Sequence, residues 1–346
     1  MLQHSQNQRP SKRWIVLLPS SDYPISIQDI QEASEKLSEV CLPTPLLTSE
    51  KINKRLNCNL FFKCEMFQPV GSFKIRGAWN FMSRLPSIAP QKGVVAFSSG
   101  NHAQAVSWVA RRLNLRAVIV MPKQAPQIKI KNTHSLGAEL ILYDRFTEDR
   151  EVMANTIVKK SGAKLVPPYD HPLIMAGQGT VGIEIISQLE QRGVAPDIVL
   201  IPCSGGGLVA GCSVAIRNRF PNTNVFAVEP EHYNDTKRSL DAGKRIRIEE
   251  KKETICDALL VSEPGKMTFK INKRMLTGCL TASDYHVKAA INILLNDLKV
   301  FAEPSGAIGL AALLAGCLNI EGKNICVVLS GGNADPSILA DNPISA

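Results

Sequence analysis

The feature that most constrains the fold is an alternation of short apolar runs with segments of helical spacing. Apolar runs of strand length cover 93–97, 117–121, 139–143 and 198–202, and a helical pattern follows each of them. Helices that link successive strands return the chain to the same end of a sheet, so the strands run parallel. We therefore predict an α/β protein with open, twisted, mainly parallel sheets flanked by helices.

A proline-rich break at 167–170 interrupts this alternation and suggests that the chain returns to a second unit. We predict a large domain formed by residues 1–92 and 169–346, and a small mobile domain formed by residues 93–168. The ligand would lie in the cleft between them. The small domain could then close over it and exclude water.

Composition narrows the class of partner. The 346 residues carry a formal net charge of +9, from 40 basic and 31 acidic residues, but aromatic residues are only 5% and the basic residues are scattered. We interpret the excess as attraction for small anionic ligands and predict no nucleic-acid partner. The apolar run at 14–19 is too short to span a membrane, so we predict no membrane partner.

The nine cysteines lack the spacing of metal-binding motifs, and most lie in apolar runs. Buried thiols of this kind are typical of a reducing compartment, so we predict a cytoplasmic protein.

A lysine segment, Gly71-Ser72-Phe73-Lys74-Ile75-Arg76-Gly77, is the first candidate for chemistry. Lys74 stands between an aromatic and a β-branched residue. A lysine in a partly apolar site has a lowered pKa, and its amine becomes a nucleophile. The alternative is a turn followed by an amphipathic helix on which Lys74 is exposed.

Three further loops contain groups suited to binding anions. Ser204, Gly205, Gly206, Gly207 and Leu208 follow a predicted strand and open a helix, which suits a small phosphoryl group. The alternative is a glycine turn required for close packing. The loop 98–102 offers hydroxyl, amide and backbone N–H groups for a carboxylate, and Ser330 follows the last predicted strand. Together with Lys74, these loops point to pyridoxal 5'-phosphate (PLP).

In order and spacing these four segments resemble the fold type II PLP enzymes, which are tryptophan synthase β-like, from about residue 26 to 336. Within them the chain is most similar to the serine/threonine dehydratase and serine racemase group. The resemblance implies that Lys74 carries PLP as a Schiff base and acts as general base. It also implies that Phe73 packs on the ring, Asn101 binds its 3-hydroxyl and Ser330 faces its nitrogen, with the phosphate at 204–208.

The same resemblance makes Ser98, Ser99, Asn101 and His102 the substrate-carboxylate loop. In similar racemases a serine at the position of Ser99 is the acid/base opposite the lysine, so Lys74 and Ser99 would form a two-face pair. The alternative is a hydroxyl that only binds carboxylate. His102 is expected to position the loop rather than transfer a proton.

A divalent-cation site is a further expectation. Glu229, the backbone carbonyl of Tyr233 and Asp235 resemble the metal site of serine racemases, and oxygen ligands suit Mg²⁺ or Ca²⁺. The alternative is a solvated acidic loop.

Some features depart from the family pattern or leave alternatives open. Asp257-Ala258 replaces a common Asp-Gly close to the ring, and residues 261–266 are unlike the animal racemases, which favours a microbial dehydratase. Glu303 is expected near the ring or as a helix cap.

The chain ends soon after Asn333, so we expect no C-terminal regulatory domain. A homodimer is expected from the resemblance.

The predicted function is β-elimination of L-threonine or L-serine, giving 2-oxobutyrate or pyruvate and ammonia. The sequence leaves open whether 3-hydroxyaspartate is preferred. The alternatives are a serine racemase with the same cofactor and an inactive fold relative that binds an amino acid as a sensor.

Overall fold

The structure is a computed structural model that describes residues 23–85, 92–249 and 252–339. The apolar run at 14–19 lies outside these ranges. The strands are β1 Leu46–Leu47, β2 Asn59–Cys64, β3 Val94–Phe97, β4 Ala117–Pro122, β5 Glu139–Tyr143, β6 Lys164–Leu165, β7 Ile198–Pro202, β8 Asn224–Pro230, β9 Gly278–Ala282 and β10 Asn324–Leu329.

The α-helices are α1 Ile27–Leu37, α2 Glu50–Leu56, α3 Lys74–Met82, α4 Asn101–Arg112, α5 Gln127–Ser135, α6 Arg150–Ser161, α7 Pro172–Glu190, α8 Gly207–Arg219, α9 Asp235–Ala242, α10 Lys266–Met275, α11 Asp284–Ile293 and α12 Pro304–Leu314. Short 3₁₀ turns occupy Glu65–Phe67 and Pro336–Leu339, and a π-helical turn at Leu294–Leu298 continues α11.

Two sheets organise the molecule, as the alternation predicts. The larger has the strand order β1-β2-β10-β7-β8-β9, parallel except for the β1–β2 pair, and the smaller has the order β5-β4-β3-β6 and is all parallel. The predicted α/β class is confirmed. The order also shows that β10, near the end of the chain, lies between β2 and β7. The loops after β3, β7 and β10 therefore follow carboxyl ends of parallel strands, where open α/β sheets bind ligands.

Several elements differ from the sequence prediction. Helix α7 begins at Pro172, just after the predicted break at 167–170, because His171 accepts the Leu173 amide through Nδ1 and proline fits the first helical turn. The elements α2, α10 and β9 were not predicted at all. The β9 sequence, Gly-Cys-Leu-Thr-Ala, begins with glycine and lacks clear alternation, so its strand character comes from pairing with β8.

Close helix packing fixes the start of α3, where Lys74 lies. A Cβ added at Gly177 of α7 would lie 2.6 Å from the carbonyl oxygen of Arg76 in α3, so only glycine allows this approach. Beneath it, Arg76 forms ion pairs with Glu65 at 2.8 Å and Glu184 at 2.6 Å, and Lys63 pairs with Glu184 at 2.5 Å. Two buried cations thus meet two carboxylates, which satisfies their charges.

The cysteines and the apolar character of the helices bear on the whole chain. All nine cysteines are free, and all but Cys317 are buried, as expected of core thiols. Among the described residues, no helix has both the length and the apolar character required to cross a bilayer.

Candidate active site

One cavity brings the four sequence segments together between the two sheets. Among the predicted site residues, the cavity is lined by Phe73, Lys74, Ser98, Ser99, Asn101, His102, Ser204, Gly205, Gly206, Gly207, Leu208 and Ser330. The lysine segment is held against the end of β10, since the Phe73 amide donates to the Ser330 carbonyl at 3.2 Å. Residues far apart in the chain therefore share a single site.

Lys74 lies at the first position of α3 with its amine turned into this cavity. Its Nζ donates to the Pro168 carbonyl at 2.9 Å and lies 5.1 Å from the centre of the Phe73 ring. No carboxylate pairs with it among the described residues. Burial lowers the pKa of the Lys74 ammonium to about 8, because the charged form loses solvation without gaining a counter-ion. The alternative of an exposed helical lysine is wrong.

The glycine loop, residues 204–208, lines the cavity and also packs tightly against neighbouring side chains. A Cβ at Gly205 would lie 2.4 Å from the ring of Tyr169, and Gly206 has φ of +92° with Asn272 and Thr268 close by. Thr268 Oγ1 also donates to the Gly205 carbonyl at 2.7 Å. Close packing thus requires the glycines, and the same loop begins α8, whereas phosphate binding by this loop stays a prediction.

The side chains of the loop 98–102 differ in their contacts. Ser98 Oγ accepts the Gly100 amide at 3.1 Å, whereas Ser99 is half-buried at the cavity wall. His102 Nε2 lies 3.1 Å from the Val166 carbonyl, which can only accept, so Nε2 carries the proton. Burial and the nearby Lys74 cation lower the pKa of His102 to about 3, and the ring is neutral. His102 thus joins its loop to the backbone at Val166, and its role of positioning the loop stays a prediction.

A polar network lines another part of the cavity. Asn101 donates through Nδ2 to Glu303 Oε1, and Lys129 Nζ lies 3.2 Å from Glu303 Oε2 and 2.6 Å from Asp257 Oδ2. Asn333 Nδ2 donates to Asn101 Oδ1 at 2.9 Å. Glu303 is 1% exposed and makes no capping bond to α12, so of its two expected roles the capping role is wrong.

Sequence reasoning missed several residues that line the cavity, among them Lys129, Arg150 and Tyr169. Lys129 lies in a polar helix with other basic residues and resembles a solvated lysine. Arg150 opens α6 after a loop of exposed residues, and no motif marks it. The run Pro-Pro-Tyr-Asp at 167–170 was interpreted as a chain break only. Its density of turn residues between two units was the available signal for a functional loop.

The predicted cation ligands lie apart from this cavity. Glu229 is buried at the end of β8 and accepts the amides of Thr236 and Lys237, both at 3.0 Å. Asp235 is 1% exposed, and neither of its carboxylate oxygens has a hydrogen-bond partner. Burial raises the pKa of Glu229 to about 7 and that of Asp235 to about 9. Residues 229 and 235 are thus not a solvated acidic pair.

The cavity fits a phosphorylated aldehyde cofactor by the chemistry of its groups. It combines an amine of lowered pKa, an aromatic face at Phe73, a glycine loop at a helix N-terminus and a serine at a strand end. The loop 204–208 has neither the GxGxxG spacing of dinucleotide sites nor the lysine of nucleoside triphosphate sites. Residues 177–182 have the GxGxxG spacing, but they lie inside helix α7 and not between a strand and a helix.

The fold and this set of groups define the class of PLP-dependent enzymes with the cofactor between two α/β units. Comparison with known proteins gives the same class. Residues 37–331 match the family described as pyridoxal-phosphate dependent enzyme, and the chain belongs to that family. It is 41% identical to an L-threo-3-hydroxyaspartate ammonia-lyase of Saccharomyces cerevisiae, over 89% of this chain and 93% of that protein. It is 39% identical to a serine racemase of Schizosaccharomyces pombe, over 92% and 96%.

Among solved structures, a threonine deaminase of T.th. superposes with a TM-score of 0.84 at 38% identity, over 90% of this chain and 99% of that one. The relatives thus include both ammonia-lyases and racemases. The chain is an enzyme of this dehydratase and racemase group within the PLP-dependent family, as the sequence predicts.

Proposed function

We propose that the protein is an ammonia-lyase that eliminates water from β-hydroxy amino acids, with Lys74 as its central catalytic residue. The observation that carries the proposal is the Lys74 amine: it has no carboxylate partner in the described structure, burial lowers its pKa to about 8, and the loops 98–102 and 204–208 line the same cavity. Lys74 would hold PLP covalently, and residues 204–208 would bind its phosphate. When bound, PLP supplies an electron sink for the bond that breaks at the substrate Cα.

Residues of the chain would bind the substrate and transfer its protons. The loop 98–102 binds the substrate carboxylate and orients Cα toward Lys74. The amine of Lys74, released from PLP when the substrate amine takes its place, would take the Cα proton and give a proton to the hydroxyl, which would leave Cβ as water. Water would then hydrolyse the resulting enamine to a keto acid and ammonia. Neutral His102 keeps its loop in place without competing for that proton.

Arg150 supports a substrate with a second carboxylate. It lines the cavity and lies 5.3 Å from the Phe97 ring centre, and within the described ranges no carboxylate pairs with its guanidinium. An unpaired guanidinium in a cleft binds a carboxylate in bidentate fashion. Two of the similar proteins, from Saccharomyces cerevisiae and a Pseudomonas species, are named L-threo-3-hydroxyaspartate ammonia-lyases. We therefore place 3-hydroxyaspartate ahead of serine and threonine.

The experiment supplies the purified enzyme and PLP with L-threo-3-hydroxyaspartate, L-serine and L-threonine, and follows keto acid and D-amino acid together. We expect keto acid from all three and the highest kcat/KM with the dicarboxylate. Arg150→Met should lower that value about 100-fold for 3-hydroxyaspartate and far less for serine, whereas the exposed Arg145→Met serves as control. Equal loss with all three substrates would reject the carboxylate role.

Serine racemisation is a second candidate that one observation favours. Ser99 lines the same cavity as Lys74, and similar proteins include serine racemases. Racemisation requires proton transfer on both faces of Cα, which Lys74 and Ser99 would provide. Ser99→Ala should abolish D-serine formation and retain most keto-acid formation. Loss of both activities to the same degree would indicate that Ser99 only binds carboxylate.

We also propose a divalent-cation site at Asp235 and Glu229, with the Tyr233 carbonyl as a third ligand. Two buried carboxylates with raised pKa values and two unpartnered oxygens on Asp235 favour an oxygen-ligated cation such as Mg²⁺. No larger cluster of His, Cys, Asp or Glu suited to a metal occurs in the described part of the chain. Millimolar Mg²⁺ should raise the melting temperature, and Asp235→Asn should remove that rise. A rise that persists in Asp235→Asn would contradict the assignment.

The assembly and location are proposals of the same kind. We propose a cytoplasmic homodimer whose small domain, 93–168, moves against the rest of the chain to close the cleft. The dimer rests on the family resemblance, the cytoplasm on nine free cysteines, and closure on the cavity between the two sheets. Light scattering of the purified protein measures the dimer, and small-angle scattering with and without substrate measures closure.

A further inference from the structure

Lys129 joins the two sheet units across the cavity. It lies on α5, which belongs with the four-stranded sheet, and its side chain is 2% exposed. Its partners Asp257 and Glu303 lie in segments associated with the six-stranded sheet, 2.6 and 3.2 Å from Nζ. Glu303 immediately precedes the buried helix α12. A buried cation of one unit is thus neutralised entirely by carboxylates of the other.

The stem of Lys129 also supports the loop 98–102. A Cβ added at Gly100 would lie 2.4 Å from Lys129 Cδ, so the backbone of the loop rests directly on the methylene groups. Gly100 has φ of 179°, an extended value, so glycine is required here by contact and not by backbone strain. The position of Lys129 therefore sets the position of this loop.

Through Glu303, the same lysine determines which way the amide of Asn101 points. Nδ2 of Asn101 donates to Glu303, and its Oδ1 accepts from Asn333 Nδ2, which also donates to the Val70 carbonyl at 2.8 Å. A flipped amide would set oxygen against carboxylate and NH₂ against NH₂. Since NH₂ has two hydrogens, the second N–H of Asn101 remains available at the cavity wall.

We propose that Lys129 is a positioning residue of the ammonia-lyase site: it holds the two sheet units together over the cavity and, by keeping Glu303 a hydrogen-bond acceptor, fixes Asn101 with an N–H donor toward the cofactor. The inference rests on the proposed function, because it assigns a task to the same site. Without the lysine cation, buried Glu303 takes up a proton or turns to water. In either case Glu303 no longer fixes the orientation of the Asn101 amide, and the stem under the loop 98–102 is no longer anchored by an ion pair.

The test compares Lys129→Met and Lys129→Arg with Lys131→Met, an exposed lysine of the same helix. We expect Lys129→Met to lower kcat about 100-fold, as misplaced catalytic groups do, and to shift the visible absorbance band of bound PLP. Hydrogen–deuterium exchange in 98–102 should increase in the PLP-free protein as well. Lys129→Arg should recover most of the rate, and Lys131→Met should stay within about twofold of the parent.

The outcomes separate this inference from the function on which it rests. A parent enzyme that binds PLP but yields no keto acid would reject the ammonia-lyase, whatever Lys129 does. A fully active parent with Lys129→Met unchanged in kcat, absorbance and exchange would overturn the positioning role alone.

A second variant covers the case in which Lys129→Met does not fold. Lys129→Met combined with Glu303→Gln removes the lysine together with the more deeply buried of its two partners. If Lys129 positions the site, the double variant folds but keeps the shifted absorbance and low kcat. The reason is that an amide in place of the Glu303 carboxylate can donate as well as accept, and it no longer fixes Asn101. Recovery of both parent values would overturn the proposal.

Discussion

Two lysines line one cavity, and their environments shift their pKa values in opposite directions. Lys74 contacts a backbone carbonyl and an aromatic ring, and burial lowers its pKa to about 8. Lys129 is also buried, which by itself would lower its pKa, but Glu303 and Asp257 outweigh that effect and raise it. At neutral to mildly alkaline pH, Lys74 can therefore supply a free amine, whereas Lys129 remains a cation.

The difference shows that burial alone does not make a lysine reactive. The number of carboxylates within hydrogen-bond distance decides it: none for Lys74 and two for Lys129 in the described structure. Beneath α3, Lys63 and Arg76 share Glu65 and Glu184 in the same paired manner as Lys129. Lys63, Arg76 and Lys129 are thus neutralised locally, and of the three lysines only Lys74 lacks a counter-ion within the described ranges.

The largest effect should come from making the same substitution at both lysines. Arginine keeps the positive charge but does not lose its proton at any usable pH. Lys74→Arg should therefore lower kcat/KM by about 10⁴-fold or more and remove the visible band of bound PLP. Lys129→Arg should retain most of the activity, since its charge is what the site uses. Steady-state kinetics and absorbance measure both.

An unchanged band in Lys74→Arg would contradict the assignment of Lys74 as the attachment point. Equal losses of kcat/KM in the two arginine variants would instead contradict the proposed difference between the lysines. Both sites would then require more of the lysine than its positive charge. The exposed Lys131→Arg is the matched control for the substitution itself.

A smaller effect separates the two partners of Lys129. Glu303 is 1% exposed, whereas the Asp257 side chain is 28% exposed and can exchange its ion pair for water. Glu303→Gln should lower the free energy of unfolding by about 3 kcal/mol, as losses of buried ion pairs do, and Asp257→Asn by about 1 kcal/mol or less. Denaturant unfolding of the PLP-free protein provides the measurement. A larger loss from Asp257→Asn would reverse the ranking of the two carboxylates.

The two lysines also differ in how well the sequence predicts them. Lys74 lies in a local motif whose neighbours, Phe73 and Ile75, already indicate an apolar site. Lys129 gains its environment from residues 128 and 174 positions away, which no local pattern can indicate. The same limit explains Gly206, whose neighbours Thr268 and Asn272 lie on α10, a helix that was not predicted.

The alternation of strands and helices in the sequence predicted the fold better than it predicted the site. Strands β5 and β7 were predicted to the residue because each is a mainly apolar run of strand length between turn signals. The position of β10 between β2 and β7 is a long-range pairing, and it is this pairing that brings Ser330 beside Phe73. In the sequence analysis, only the resemblance to the PLP enzymes placed Ser330 and Phe73 in one site. No pattern in the residues themselves predicted that they lie close together.

The smallest effect is a pH dependence that tests the contrast without any substitution. In the PLP-free protein, an amine-reactive reagent modifies only neutral amines, so labelling of Lys74 should rise about tenfold per pH unit and level off above pH about 8. Lys129 should stay unlabelled across that range because its carboxylates favour the charged form. Peptide mass spectrometry reads both sites in one sample. Labelling of Lys74 that still rises steeply above a pH of about 9 would mean that its amine is solvated like that of an ordinary lysine. That result would contradict the proposal that Lys74 supplies a neutral amine near neutral pH.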